Sequence, residues 1–84
     1  MENLKGRDEL KIYHDILEAS KDGAIKRRIS NAAQISYSTL NRHLKNLVRW
    51  KLIEKKDKVY KTTKEKGLKY LARYEGMVAL LKED

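Results

Sequence analysis

The sequence predicts one small domain, mainly α-helical, with a single short β-hairpin past its middle. Three observations carry that expectation. Apolar residues recur at helical spacing in four stretches, 8–20, 24–31, 36–49 and 63–82. Between the third and fourth, residues 52–62 hold two short extended candidates around Asp57, with Val59 and Tyr60 as good strand formers. The 84 residues contain no Pro and only 4 Gly, so helices run uninterrupted and no flexible linker divides the chain.

Composition narrows the function classes. The absence of Cys removes disulfides and thiolate metal sites and fits a reducing compartment. No apolar run approaches the roughly 20 residues needed to span a bilayer, and Met1–Gly6 lacks a signal-peptide core. The expectation is a soluble cytoplasmic protein with no membrane partner. The formal charge is +8, unevenly spread: residues 1–23 carry 4 cations and 6 anions, residues 24–66 carry 13 cations and 3 anions, and residues 67–84 carry 3 of each. The basic excess is therefore confined to the middle of the chain, which marks a surface for an acidic partner.

In chain order, Met1–Gly6 reads as a frayed terminus. Ile12, Tyr13, Ile16 and Leu17 then line one face of a helix, with Leu10 and Ala19 beside them and Asp8 and Glu9 in its first turn. His14 falls between core positions as a surface or half-buried filler. Gly23 is placed to end this helix in the left-handed conformation. In the second helix Ile25 and Ile29 face inward and Lys26, Arg27 and Arg28 outward; Asn31–Ile35 reads as a tight turn, its Ala32 and Ala33 letting two helices approach. Short helix, tight turn and longer basic helix make a helix-turn-helix pattern.

The helix 36–49 is the centre of the reading. At about 100° per residue, Leu40, Leu44, Leu47 and Val48 share one arc, with Tyr37 and His43 on its shoulders. Ser38, Arg42, Lys45 and Arg49 share the opposite arc, with Thr39 and Asn46 beside it. That outer face has cations, hydroxyls and amides and no carboxylate, whereas ordinary solvated faces mix both signs. DNA is the commonest surface such a face suits. Ser36 is the expected N-cap. The hairpin that follows Trp50-Lys51 then reads as the wing of a winged helix, with a basic tip at Lys55, Lys56, Asp57 and Lys58. Thr62 and Glu65 form a candidate capping box for the last helix.

That last helix, about 30 Å long at 1.5 Å per residue, exceeds what a three-helix core needs. Tyr70, Leu71, Tyr74, Met77, Val78 and Leu81 occupy one arc, and Leu80 lies on a second apolar face. These residues are the expected dimerisation surface, its first half packing on its own domain and its second half pairing with another copy by two-fold symmetry. Gly76 is a weak point that marks a bend or a close helix contact.

Taken together, Ala33-Gln34-Ile35-Ser36-Tyr37, Leu40, Leu44-Lys45-Asn46-Leu47, Leu52-Ile53-Glu54, Tyr60-Lys61-Thr62-Thr63, Glu65-Lys66-Gly67 and Tyr70-Leu71 resemble the small archaeal winged-helix DNA-binding proteins, among them the ten-kilodalton crenarchaeal chromatin proteins and related transcription regulators. The resemblance covers about Asp8 to Leu81 and rests on order and spacing. It implies operator or sequence-tolerant binding of double-stranded DNA, a nucleoid-associated location, and a homodimer built through the C-terminal helices. In one departure, Lys51 stands where that family usually has Gly between the third helix and the first wing strand.

The expected function is therefore double-stranded DNA binding by a homodimer that regulates transcription. Tyr37, Ser38, Thr39, Asn41 and Arg42 would approach base edges in the major groove. Lys45, Asn46 and Arg49, with Lys26, Arg27, Arg28, Lys55, Lys56 and Lys58, would hold phosphates. Alternatives are a sequence-nonspecific architectural DNA-binding protein and a protein-interaction module for an acidic partner. RNA binding is poorly supported, because Tyr37 alone among the aromatics lies near the basic face. No catalytic constellation, metal site or cofactor motif is expected: there are two His, no paired carboxylates at working spacing and no Gly-rich phosphate loop.

Overall fold

The computed structural model describes residues 4–82. Its elements are α1 (Leu4–Ala19), α2 (Lys26–Ala33), α3 (Tyr37–Arg49), β1 (Ile53–Lys56), β2 (Val59–Thr62) and α4 (Lys66–Lys82). Four helices and one two-stranded antiparallel hairpin make a winged helix-turn-helix, as expected. The hairpin pairs Ile53 with Thr62 and Lys56 with Val59, which leaves Asp57 and Lys58 as the turn.

One core joins every element. Ile16 and Leu17 from α1, Ile29 from α2, Leu40 and Leu47 from α3, and Ile53 from β1 are each at most 1% exposed. Leu44, Tyr60 and Leu71 close it from α3, β2 and α4. A large aliphatic side chain buried this fully contributes about 1.5–3 kcal/mol, so six of them outweigh the surface ion pairs, each worth under about 1 kcal/mol.

A third extended segment lies between α1 and α2. The Ala24 N–H donates to Tyr60 O at 2.9 Å and the Tyr60 N–H donates to Ala24 O at 2.8 Å. Thr62 ties the same strand to α1: its hydroxyl donates to Leu17 O at 2.6 Å and its N–H to Ser20 O at 2.9 Å. The wing is therefore anchored on the helical core by its second strand. The sequence contained no signal for the Ala24 bridge, which is one residue long.

Helix ends explain the connections. Ser36, extended at φ −73° and ψ 162°, caps α3 by accepting from the Thr39 N–H at 3.2 Å. At the far end Lys51 takes φ 65°. The Leu52 N–H reaches back to Leu47 O at 2.9 Å and the Lys51 N–H to Val48 O at 3.0 Å. This is the Schellman arrangement, with a lysine in the position that ordinarily takes glycine. Gln34 (φ 58°) plays the same part after α2, and Gly23 (φ 97°) turns the chain after α1.

Several expected details are corrected. α1 is already helical at Leu4, so Asp8 and Glu9 fall in its interior, not its first turn, and only Met1–Asn3 of the expected frayed terminus lie outside the described residues. α2 occupies 26–33 rather than 24–31, because Ala24 is engaged with β2; Ile25 becomes the residue before the helix and is 49% exposed, not inward-facing. Asn31–Ala33 belong to α2, and the turn is confined to Gln34-Ile35. α4 starts at Lys66 because Thr62 is buried in the hairpin. Thr63 takes over the capping role, accepting from the Gly67 N–H at 2.8 Å. Val48 is 37% exposed rather than core.

Candidate nucleic-acid interface

The inner face of α3 is fixed by Leu40, Leu44 and Leu47, and this determines what faces outward. Tyr37, Ser38, Asn41, Arg42, Lys45 and Arg49 are exposed; Thr39 and Asn46 are partly so. No acidic residue occupies the helix.

The fold brings the other basic segments to one side of α3. A groove between α3 and the wing is lined by Lys26, Asn41, Leu44, Lys45, Val48, Lys55 and Tyr60. An adjoining groove of about 520 Å³ is lined by Ile25, Lys26, Arg27, Tyr37, Lys55, Asp57, Lys58 and Tyr60. Lys26 and Lys55 border both, which places the start of α2, the Tyr37, Asn41, Lys45 and Val48 flank of α3 and the wing around one concave surface; Ser38, Arg42 and Arg49 line neither groove. Among these lining residues the sole carboxylate is Asp57, at the wing tip, and none is His or Cys. Arg28 opens onto a neighbouring depression with Asn31 and Val59. Lys56 is exposed on β1 but borders neither groove.

Three groove residues had another place in the sequence reading. Tyr60 stood as a strand former and Val48 as core. Tyr60 forms the groove floor, with Lys55 Nζ 5.6 Å from its ring centre. Ile25 was assigned to the core and instead stands at the groove edge. Alternation along β2 marks Tyr60 as facing away from Val59 and Lys61, but only the register of the hairpin places it beneath α3.

The start of α2 has a specific electrostatic defect. Ile25 precedes the helix and has no side-chain oxygen to cap it, and no acidic residue sits in the first turn. The free N–H groups there carry partial positive charge, which Lys26, Arg27 and Arg28 reinforce. An anion placed at this end would relieve that repulsion.

His43, next to Arg42, faces inward and is 2% exposed. The Tyr13 ring meets it edge-on at 5.0 Å, and its Nδ1 has no hydrogen-bond partner. Burial pushes its pKa below the ordinary 6.5, helped by the positive Arg42 and opposed by Glu9. The imidazole is therefore neutral at pH 7, and it packs the inner face of α3.

At the other end of the domain, Leu71 of α4 is buried in its own core. That removes it from the side chains able to meet a second copy. Tyr70 is partly buried and its hydroxyl donates to Leu10 O at 3.0 Å. Tyr74 stacks on His14 with ring centres 4.7 Å apart. Beyond it Met77, Leu80 and Leu81 are 43%, 68% and 71% exposed, while Val78 is partly buried.

A family model described as winged helix-turn-helix matches residues 6–82. Comparison with curated proteins gives no match. No helix among the described residues is long and apolar enough to cross a membrane.

Proposed function

The chain belongs to the winged helix-turn-helix family, and from that premise we propose that it binds double-stranded DNA as a homodimer and regulates transcription. The observation that carries this reading is the concave surface shared by Lys26, Asn41, Lys45 and Lys55, with its carboxylate confined to the wing tip. In the proposed complex α3 enters the major groove. Arg42 spans guanine O6 and N7 and Asn41 pairs with adenine, while Tyr37, Ser38 and Thr39 approach neighbouring base edges. Lys45, Asn46 and Arg49 hold phosphates, and Lys55, Lys56 and Lys58 follow the backbone from the wing. The uncapped start of α2 receives a further phosphate between Lys26, Arg27 and Arg28.

Two copies meet through the outer half of α4. Met77, Leu80 and Leu81 supply apolar surface there, with Tyr70, Tyr74 and Val78 at its base. A dimer of this kind reads half-sites about one helical turn apart, or bends the DNA between them.

Titration of the protein onto a fluorescent duplex at several salt concentrations tests the interface. Each phosphate contact removed lowers the slope of log K against log salt by about 0.9. Lys55→Ala and Lys26→Ala are expected to show this loss equally on every sequence, whereas Arg42→Ala relaxes preference at one position. Unchanged slopes for both lysine variants would remove the groove from the DNA interface. Selection from a random duplex library distinguishes regulator from packaging protein: a palindrome indicates the first, uniform and steeply salt-dependent recovery the second. Sedimentation of Leu80→Lys against the parent protein tests the dimer.

A further inference from the structure

His14 sits on the flank of α1 that faces α4, outside the basic grooves. Both of its ring nitrogens meet carboxylates. Nδ1 lies 3.0 Å from Asp15 Oδ1, and Nε2 lies 3.2 Å from Glu75 Oε2. Glu18, one turn further along α1, brings a third donor: one ligand atom each of His14, Glu18 and Glu75 all fall within 4.8 Å of one another. The ring is 19% exposed and stacked on Tyr74, which fixes its plane. Glu75 and Glu18 are about half exposed and free to adjust.

The arrangement poses a question of charge. Nε2 faces Glu75, with the Glu18 carboxylate nearby, so donor atoms from three side chains converge on one point, as a bound cation requires. Lys21 compensates Glu18 only loosely, at 3.8 Å, and Lys11 is engaged with Asp15 Oδ2 at 3.0 Å. A carboxylate holding the far nitrogen of a ligating histidine is also how proteins orient imidazole toward a metal.

We propose that His14, Glu18 and Glu75 form a divalent transition-metal site, best suited to zinc, that joins α1 to α4. Imidazole with two carboxylates favours zinc over magnesium or calcium, which prefer all-oxygen shells. Zinc–ligand bonds of about 2.0–2.2 Å place the ligands of a tetrahedral ion roughly 3.3 Å apart, so the carboxylates must close by about 1.5 Å at most. His14 and Glu18 are separated by one helical turn and therefore share a face. Glu75 comes from α4 at the level where its apolar outer half begins. Metal binding would fix the direction in which that half leaves the domain. The fourth ligand is water, because the site opens to solvent.

The test is calorimetric titration of the tag-free protein with zinc chloride, paired with thermal unfolding with and without the ion. One zinc per chain is expected, with a rise in Tm that magnesium does not reproduce. Glu75→Gln keeps the exposed side chain's size and is expected to weaken zinc at least tenfold; His14→Gln should do the same. Asp15→Asn, which touches no metal, is expected to weaken it by about tenfold through the imidazole. Absence of saturable zinc binding by the parent protein, or equal binding by Glu75→Gln, would overturn the proposal. The outcome is independent of DNA binding, which uses other residues.

Discussion

Lys51 carries backbone strain. It holds φ 65° at the exit of α3, where an L-residue's Cβ crowds the backbone. That conformation costs an L-residue about 1–2 kcal/mol. Glycine removes the crowding but gains freedom in the unfolded chain, which takes back about 0.4–1 kcal/mol. Lys51→Gly is therefore expected to stabilise the domain by about 0.5–1 kcal/mol, or roughly 2–8 °C in Tm for a chain of this size. Lys51→Ala is the control, since it removes the ammonium and retains the Cβ. The backbone bonds that define the exit, Leu52 N–H to Leu47 O and Thr63 hydroxyl to Lys51 O, need no side chain at 51. Thermal and urea unfolding followed by circular dichroism measure both variants. A glycine variant no more stable than the alanine variant would refute the argument that position 51 is strained.

Three further predictions follow from single residues. Gly67→Ala should destabilise by about 2 kcal/mol or more, because its Cβ would fall on Leu52 O and Thr62 Cγ2, neither of which can withdraw; an unfolding midpoint within 2 °C of the parent would contradict that packing. Gly76→Ala meets nothing within 4 Å in its own chain and should stabilise α4 by up to about 1 kcal/mol; if sedimentation shows a weakened dimer instead, Gly76 lies at the contact between copies. The folded-state pKa of His43 lies below its unfolded 6.5, so the unfolded chain binds more protons and stability falls as pH drops below about 6.5. His43→Leu should remove that part of the acid loss and, by deleting an unpartnered buried nitrogen, hold or raise stability at pH 7. Equal loss of Tm between pH 7.5 and pH 5 in both proteins would show that His43 is not responsible.

Much of the fold was legible because strong local signals agreed. The Leu40, Leu44 and Leu47 stripe, the Ser36 cap and the charge excess of residues 24–66 all mark α3 without reference to the rest of the chain. The errors arose where a long-range bond outcompeted a local preference. Ala24 has good helix propensity but pairs with Tyr60, which displaces the start of α2 and turns Ile25 outward. Thr62 fits the capping-box pattern but is held by Leu17 and Ser20, so Thr63 caps in its place. At the basic surface, the lysines and arginines were legible as exposed cations, but the groove floor was not. Tyr60 and Val48 come to line the groove only through the hairpin register and the angle of α3. Convergence of His14, Glu18 and Glu75 is likewise tertiary: the two α1 residues share a visible spacing, but the third is 57 residues beyond Glu18.

The hairpin has one flank covered and one bare. Ala24 sits beside β2, whereas β1 has no further strand alongside it among the described residues. A bare strand is a template on which another chain can add, and proteins commonly block it with charge. Here Glu54, Lys55 and Lys56 fill three of the four β1 positions and are all exposed. The same lysines assigned to phosphate contact thus keep the protein from self-templating through its wing. On the proposed function these lysines serve both affinity and solubility, and the two can be pulled apart. Replacing Lys55 and Lys56 by glutamate would abolish an electrostatic grip while leaving the edge guarded. Replacing both by valine would remove the guard as well, and the wing would become a seed for fibrils.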